Sequence, residues 1–171
     1  MNAYAAMLRA VNLGPHQKIG KDELLAAAHA AGLVRPETVS TSGNLVFESD
    51  RTEAEIMQRL GDALARHFGK EKGLFIRSAA ELQAIVAANP FADRPGNLAM
   101  VLFLSGPPAA DAHSGMVAPD GEQARLGARE IYLFYPAGQG RSKLKLTALK
   151  AGTTRNLNTV MKLAALAAAR G

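Results

Sequence analysis

The spacing of apolar and polar residues in the first half of the chain predicts the order strand, helix, strand, strand, helix, strand. Residues 3–11 ("AYAAMLRAV") are apolar on both faces, as in a central strand, and residues 20–32 follow with helical spacing. Residues 37–49 contain two β-prone runs around a Ser-Gly-Asn turn, which is typical of a hairpin. Residues 52–68 form an amphipathic helical pattern, and residues 72–78 return as a strand.

The second half alternates less regularly. Residues 97–105 ("NLAMVLFLS") predict a buried strand, and residues 122–136 predict two more strands. Between them, the Pro-rich and Gly-rich residues 106–121 leave room for one short helix. A closing helix is predicted from about Arg155 to Arg170.

This order predicts an α+β fold of two ferredoxin-like halves of the βαββαβ type, with mixed or antiparallel sheets. We place the N-terminal half at residues 1–78 and the C-terminal half, which carries a basic end segment, at residues 79–171. The two halves share no close sequence repeat, so any duplication is one of architecture.

Composition narrows the class of protein. The 171 residues are 48% hydrophobic and 20% charged, with no run of 18 apolar residues, which indicates a globular protein without a membrane span. The N-terminus lacks a secretory pattern, so we expect a cytoplasmic protein that does not enter a membrane. The chain has no cysteine, and its four histidines lack the spacing of a metal site. We therefore expect no metal and no cofactor.

Positive charge is concentrated near the C-terminus. Residues 125–171 hold nine basic residues against one acid, Glu130, although the whole chain carries only +5. Clustered positive charge destabilises a compact state unless a partner neutralises it, so this segment indicates an anionic partner. Surface charge that serves solubility alone is an equally good interpretation at this point.

The stretch "GQGRSKLKL" (residues 138–146) is the first candidate for an anion site. Gly138 and Gly140 allow close backbone approach, and Ser142 is suited to cap a helix beginning at Lys143. Cations in the first turn of that helix, Lys143 and Lys145, would oppose its dipole, whereas an anion bound there would favour them. The stretch does not match a P-loop.

The stretch "GTTRNLNTV" (residues 152–160) repeats this feature. Thr153 or Thr154 is the natural N-cap of the last helix, and Arg155 then occupies its first turn beside Asn156. Two helix starts with cations suggest two parts of one anion site. We therefore predict that this stretch lies beside residues 138–143.

Two N-terminal segments are weaker candidates. Arg9 and Asn12 lead from the first strand into a loop with His16 and Lys18, either of which could carry protons in a reaction.

The hairpin residues Ser42, Gly43 and Asn44 serve a tight turn or present donors to a ligand. Asn44→Asp should change stability by no more than about 1 kcal/mol, and if the hairpin belongs to an anion site, the added negative charge should markedly weaken anion binding.

These stretches also carry a family resemblance. "LRAVNLGPHQKIGKDEL", "STSGNLVF", "GQGRSKLK" and "TTRNLNTVMKL" resemble, in order, the signature blocks of the bacterial domain-of-unknown-function family 1697. The resemblance implies an α+β fold with two ferredoxin-like halves, and it implies no activity. This chain differs from the family's signature blocks at Ala10, Pro15 and Leu157. The ligand-binding positions that it suggests are Arg9, Asn12, Ser42, Gly43, Asn44, Gly138, Gly140, Arg141, Ser142, Lys143, Thr154, Arg155 and Asn156.

Three functions are compatible with these features. The first is a binding module for a phosphate-bearing anion, either nucleic acid or a nucleotide-like small molecule. The second is an enzyme that acts on a phosphorylated metabolite, with His16 or Lys18 as the proton carrier. The third is a scaffold whose basic face binds an acidic protein. The sequence leaves open the ligand, the oligomeric state and whether a reaction is catalysed.

Overall fold

The computed structural model describes residues 1–9, 20–40, 43–68 and 73–170. The chain divides into two compact units, which we call unit 1 (Met1–Leu82 with Leu163–Gly171) and unit 2 (Gln83–Lys162). The dividing point near residue 82 thus lies a few residues beyond the boundary placed at residue 78, and the end of the chain groups with the first unit. No helix in the described part of the chain is long and apolar enough to span a bilayer.

Unit 1 contains a four-stranded antiparallel sheet and two helices. Its elements are β1 (Asn2–Leu8), α1 (Lys21–Ala30), β2 (Val34–Thr38), β3 (Asn44–Ser49), α2 (Glu53–Phe68) and β4 (Leu74–Ser78). The strand order is β2-β3-β1-β4, which is the ferredoxin-like order expected from the βαββαβ pattern. This part of the fold prediction is confirmed.

The core of unit 1 lies between this sheet and the helices α1 and α2. Alternate strand residues such as Ala6, Leu45 and Phe47 are fully buried, and Ile56 and Leu60 of α2 meet them. Removing this apolar area from water is the main stabilising term for the unit. The helical spacing of the apolar residues in α2 therefore reports its inward face correctly.

Within unit 1, a buried carboxylate on β3 connects the last residues of the chain to β2 and β3. Glu48 accepts two hydrogen bonds from Arg35, at 2.7 and 2.6 Å, and one from Arg170 Nη1 at 3.2 Å. Arg170 also donates to Glu37 Oε2 at 3.0 Å. A register shift between Val34 and Glu37 accompanies the positive φ of Arg35, +48°. The hydrogen bonds from Arg35 lower the pKa of Glu48, although burial acts in the opposite direction.

Glu48→Gln should reduce stability at pH 7 and matter much less near pH 3. The folded-state pKa of Glu48 lies below its unfolded value, so its contribution is complete above the unfolded pKa and is lost as the pH falls through the folded pKa. Urea unfolding at both pH values measures this. Glu37→Gln, at a half-exposed side chain, is the control and should cost less. An equal loss from Glu48→Gln at both pH values would contradict the prediction.

Unit 2 repeats the sheet order with different connections. Two helices belong partly to this unit and partly to unit 1, and the new elements are α3 (Ala79–Ala87), β5 (Ala99–Phe103), β6 (Gln123–Leu126), β7 (Glu130–Phe134), β8 (Thr153–Asn156) and α4 (Leu157–Ala168). The order β6-β7-β5-β8 is again antiparallel and ferredoxin-like. However, residues 104–122 and 135–152, both fully described, contain turns and 3₁₀ segments without an α-helix. Residues 106–121, where the sequence leaves room for one short helix, therefore contain no α-helix.

These connections cover one face of the second sheet. Leu102, Ile131 and Leu133 of the sheet form a core cluster with Leu146, and Leu144 packs against it. Residues 104–122 form successive turns there, so the cluster is closed by irregular backbone and by side chains such as Met116 and Leu144. This packing decides the conformation of the basic stretch described next.

Candidate anion-binding surface

The basic stretch at residues 138–146 contains no α-helix, and its second part, residues 142–146, is extended. Gly138 adopts a φ of +87° and donates its N–H to the carbonyl of Tyr135, so the chain reverses there. A 3₁₀ turn follows at Gln139–Arg141. The prediction of a helix that begins at Lys143 is wrong. "KLKL" alternates with period two, which is the pattern of an extended segment with one buried side.

The alternation sends the cations outward. Leu144 and Leu146 reach the core cluster of unit 2, whereas Arg141, Lys143 and Lys145 are exposed. We call these three side chains the cationic strip. The backbone of Lys145 pairs with Val117 through hydrogen bonds of 2.9 and 3.0 Å, which holds the register of the segment. The backbone that carries the strip is therefore held by the packing of Leu144 and Leu146 and by the hydrogen bonds to Val117.

Ser142 fixes the start of the strip from the inner side. Its hydroxyl donates to Glu122 Oε1 at 2.9 Å and accepts the N–H of Leu144 at 3.1 Å. Burial opposes ionisation of Glu122, but hydrogen bonds from its own N–H, Ser142 and Asp120 outweigh it and lower the pKa. Burial, assisted by the charge of Glu122, raises the pKa of Tyr135 to about 12. Ser142 therefore serves the segment's anchoring and is not the helix cap expected from the sequence.

Among the described residues, no carboxylate forms an ion pair with the cationic strip, although Glu122 accepts a hydrogen bond from the neighbouring Ser142. Within residues 1–9, 20–40, 43–68 and 73–170, neither its three side chains nor the exposed Lys150 forms an ion pair. By contrast, Arg170 from the same basic segment is bound to Glu37 and Glu48 in unit 1. The C-terminal excess of charge is therefore only partly available to a ligand.

Arg155 lies in β8 and not in the first turn of the last helix, so this prediction is wrong. The residue is 6% exposed, and its Nη1 donates to Thr153 Oγ1 at 2.7 Å and to the Thr154 carbonyl at 2.9 Å. Burial lowers the pKa of Arg155 to about 10. Its guanidinium is thus engaged by its own strand, whereas Arg141 faces solvent.

The last helix, α4, begins two residues later than expected. Asn156 is its N-cap, because Asn156 Oδ1 accepts the N–H of Thr159 at 2.9 Å. Neither Thr153 nor Thr154 has that role. Neither stretch therefore places a cation in the first turn of an α-helix. The inference of an anion site from cations at two helix starts does not hold.

The two basic stretches nevertheless meet. Gln139 Nε2 donates to Thr154 Oγ1 at 3.2 Å, in an exposed hydrogen bond between them. The prediction that they lie side by side is confirmed at this contact. Whether they bind an anion together stays a prediction.

In unit 1, Gly43 and Asn44 close the hairpin. Gly43 has a φ of +74°, and its carbonyl accepts the N–H of Leu8 at 2.9 Å. Asn44 is 1% exposed and donates from Nδ2 to the Val39 carbonyl at 3.0 Å. This buried hydrogen bond from the Asn44 amide therefore stabilises the turn. The expectation that Asn44→Asp costs no more than about 1 kcal/mol assumed a surface position, whereas Asn44 is buried, so we now expect a larger cost.

The remaining candidates of unit 1 are only partly described. Arg9 follows β1 and donates its N–H to the carbonyl of Gly73 at 2.8 Å. Asn12, His16, Lys18 and Ser42 lie outside the described residues. In the whole part of the chain that the structure describes, no group of three or more His, Cys, Asp or Glu side chains could hold a metal ion.

Comparison with known proteins identifies the family. The model of the family described as "Protein of unknown function (DUF1697)" matches residues 1–132. The chain belongs to this family. The DUF1697 match ends before the cationic strip, so the stretches at residues 138–146 and 152–160 lie beyond it.

A solved structure shares the fold. "The structure of conserved bacterial protein SP0830 from Streptococcus pneumoniae" is similar with a TM-score of 0.80 and 22% sequence identity, over 97% of this chain and 98% of that one. At this identity the likeness shows the fold alone. Among curated proteins, none matches this DUF1697 chain.

Sequence reasoning missed the residues that shape the strip in this DUF1697 protein. The "KLKL" alternation was a visible signal for an extended segment. Gln139 and Glu122 gave no signal, because their partners lie 15 and 20 residues away in sequence.

Proposed function

We propose that this protein binds a phosphate-bearing polyanion through the cationic strip, and that nucleic acid is the ligand that fits best. The observation that carries the proposal is the outward row of Arg141, Lys143 and Lys145 without acidic partners in the described residues. Lys143 and Lys145 lie on an extended segment, where alternate side chains are about 7 Å apart, and Arg141 ends the 3₁₀ turn directly before it. Such a row suits a ligand with regularly repeated negative charges.

Polyanion binding follows from elementary electrostatics at such a row. Each cation that neutralises a phosphate releases a counterion, so affinity falls steeply with salt concentration. Because Ser142, Leu144 and Leu146 already hold the segment, binding does not require it to become ordered first. Arg155 and Arg170 are outside the proposal, since both are occupied by partners in the protein. A cytoplasmic role belongs to the same proposal, because nucleic acid is found there.

A triple variant tests the proposal. Replacing the strip with Arg141→Gln, Lys143→Gln and Lys145→Gln should weaken binding to mixed RNA at least about tenfold near 100 mM salt. It should also reduce the slope of log affinity against log salt by about 2 for a single strand, because three phosphate contacts are lost. Fluorescence anisotropy at several salt concentrations measures both quantities.

The control removes the same charge from exposed positions of unit 1, with Lys21→Gln, Arg59→Gln and Arg66→Gln. This variant should keep most of the affinity if the strip is the site. Equal losses in the two variants would mean that net charge alone attracts RNA, and unchanged binding in both would exclude the strip.

The other two hypotheses predict different results. An enzyme for a phosphorylated metabolite should give a shallow salt dependence, because a small ligand makes few phosphate contacts. Its proposed proton carriers, His16 and Lys18, lie outside the described residues. If the protein is a scaffold for an acidic protein, it should show no affinity for RNA at any of the salt concentrations.

A further inference from the structure

We propose that a groove beside the cationic strip receives a base of single-stranded nucleic acid, so that the protein prefers single strands to duplexes. This inference rests on the proposed function and adds the class of nucleic acid. The groove has a volume of about 520 Å³ and is lined by residues 114–117, 144–147, 149 and 150. Sites for small organic molecules have volumes of about 300–1,000 Å³, so a base with its sugar is of suitable size.

The floor of the groove is apolar and partly open to solvent. Val117 is 50% exposed, which is unusual for a large apolar side chain in this protein. Met116, Leu144 and Leu149 are half-buried and pack against the core cluster of unit 2. The backbone bridge between Val117 and Lys145 holds this floor beside the strip. The exposed apolar surface is therefore a fixed part of the unit and not the side of a free loop.

The edge of the groove carries positive charge and hydroxyl groups. Lys145 and Lys150 line it, and none of its lining residues is acidic. Ser114 and Thr147 add hydroxyl groups that can bond the polar edge of a base. Lys145 belongs both to the groove and to the cationic strip. A negatively charged group attached to a ligand in the groove would therefore lie close to the strip.

These two neighbouring surfaces call for a ligand with flat, partly apolar groups attached to a regularly charged chain. A single-stranded nucleic acid has this chemistry, because its bases are free to leave the stack and its phosphates repeat along the backbone. A duplex offers the same phosphates but keeps its bases paired, so it would leave the apolar floor empty. We therefore assign the groove to a base and the strip to the phosphates.

Oligonucleotides of equal charge test this assignment. A 12-residue oligothymidylate should bind about tenfold more tightly than a 12-residue abasic strand, which keeps the phosphates but has no base to bury against the apolar floor. It should also bind more tightly than a duplex of the same length. Val117→Ser should weaken oligothymidylate binding about threefold and leave abasic binding unchanged. Val117→Phe should strengthen it, because a ring offers a stacking surface.

Val34→Ser is the matched control, since Val34 is also an exposed valine but lies in unit 1 outside the groove. It should change no affinity. Equal binding of oligothymidylate and abasic strands, with both Val117 variants like the parent, would overturn the groove assignment while the polyanion proposal stands. Binding to anionic vesicles or to an acidic peptide, with none to any oligonucleotide, would overturn both proposals.

Discussion

Gly152→Ala is expected to destabilise the protein by about 3 kcal/mol, which is near the upper end of what overpacking costs. A Cβ at this position would overlap the Phe103 carbonyl oxygen and lie 2.9 Å from Leu102 Cδ1. The carbonyl belongs to β5 and has no room to move, because β8 pairs with β5 directly after the glycine, from Thr153 opposite Phe103. The cost is therefore steric and does not depend on the φ angle.

Thermal unfolding measures the effect, with a fall in Tm of roughly 6 to 12 °C for a chain of this size. Gly140→Ala is the matched control, because a Cβ there would meet nothing within 4 Å and its φ is not positive. It should change stability by no more than about 0.5 kcal/mol. If both variants melt like the parent, the close approach of Gly152 to β5 is not as tight as described.

Asn44→Asp is the second large effect, with an expected loss of about 3 kcal/mol in the free energy of unfolding at pH 7. The buried amide donates to the Val39 carbonyl at 3.0 Å. An aspartate would lose that donor, direct a carboxylate oxygen at a carbonyl oxygen and bury a negative charge. Urea unfolding at pH 7 measures the loss, which should shrink at low pH as the new carboxyl group becomes protonated.

Asn158→Asp provides the comparison at an exposed asparagine. Asn158 lies in the first turn of α4, where a negative charge interacts favourably with the helix dipole. That variant should be neutral or slightly stabilised. Equal and small effects at both positions would show that the Asn44 amide contributes little to the turn.

Much of the fold could be predicted from the sequence because the relevant signals are local. The largely apolar β1 and the amphipathic α2 were both predicted from residue spacing alone. The capping box at Ser78 is equally local, since the N–H of Glu81 donates to Ser78 Oγ and the N–H of Ser78 donates to the Glu81 carboxylate, both at 3.1 Å. The order of these elements then limited the fold to a few architectures.

The candidate site could be predicted in its composition but not in its geometry. Only a helix was predicted for "RSKLKL", but an extended segment satisfies the local rules equally well, because a short stretch with a serine at its start suits either. The core cluster of unit 2 made the choice, since burying Leu144 and Leu146 together requires period two. Arg155 was misplaced for a related reason, because pairing with β5 draws "TTRN" into the sheet.

The sequence by itself determined the α+β class, the order of most strands and helices, and the excess of positive charge near the C-terminus. Those properties depend on neighbours a few residues apart, whose spacing is written in the chain. Only the tertiary structure decided which cations face solvent, because the exposure of Arg141 and the burial of Arg155 depend on contacts with strands distant in sequence. Hydrophobic burial selects among locally equivalent conformations, and that selection requires the assembled core.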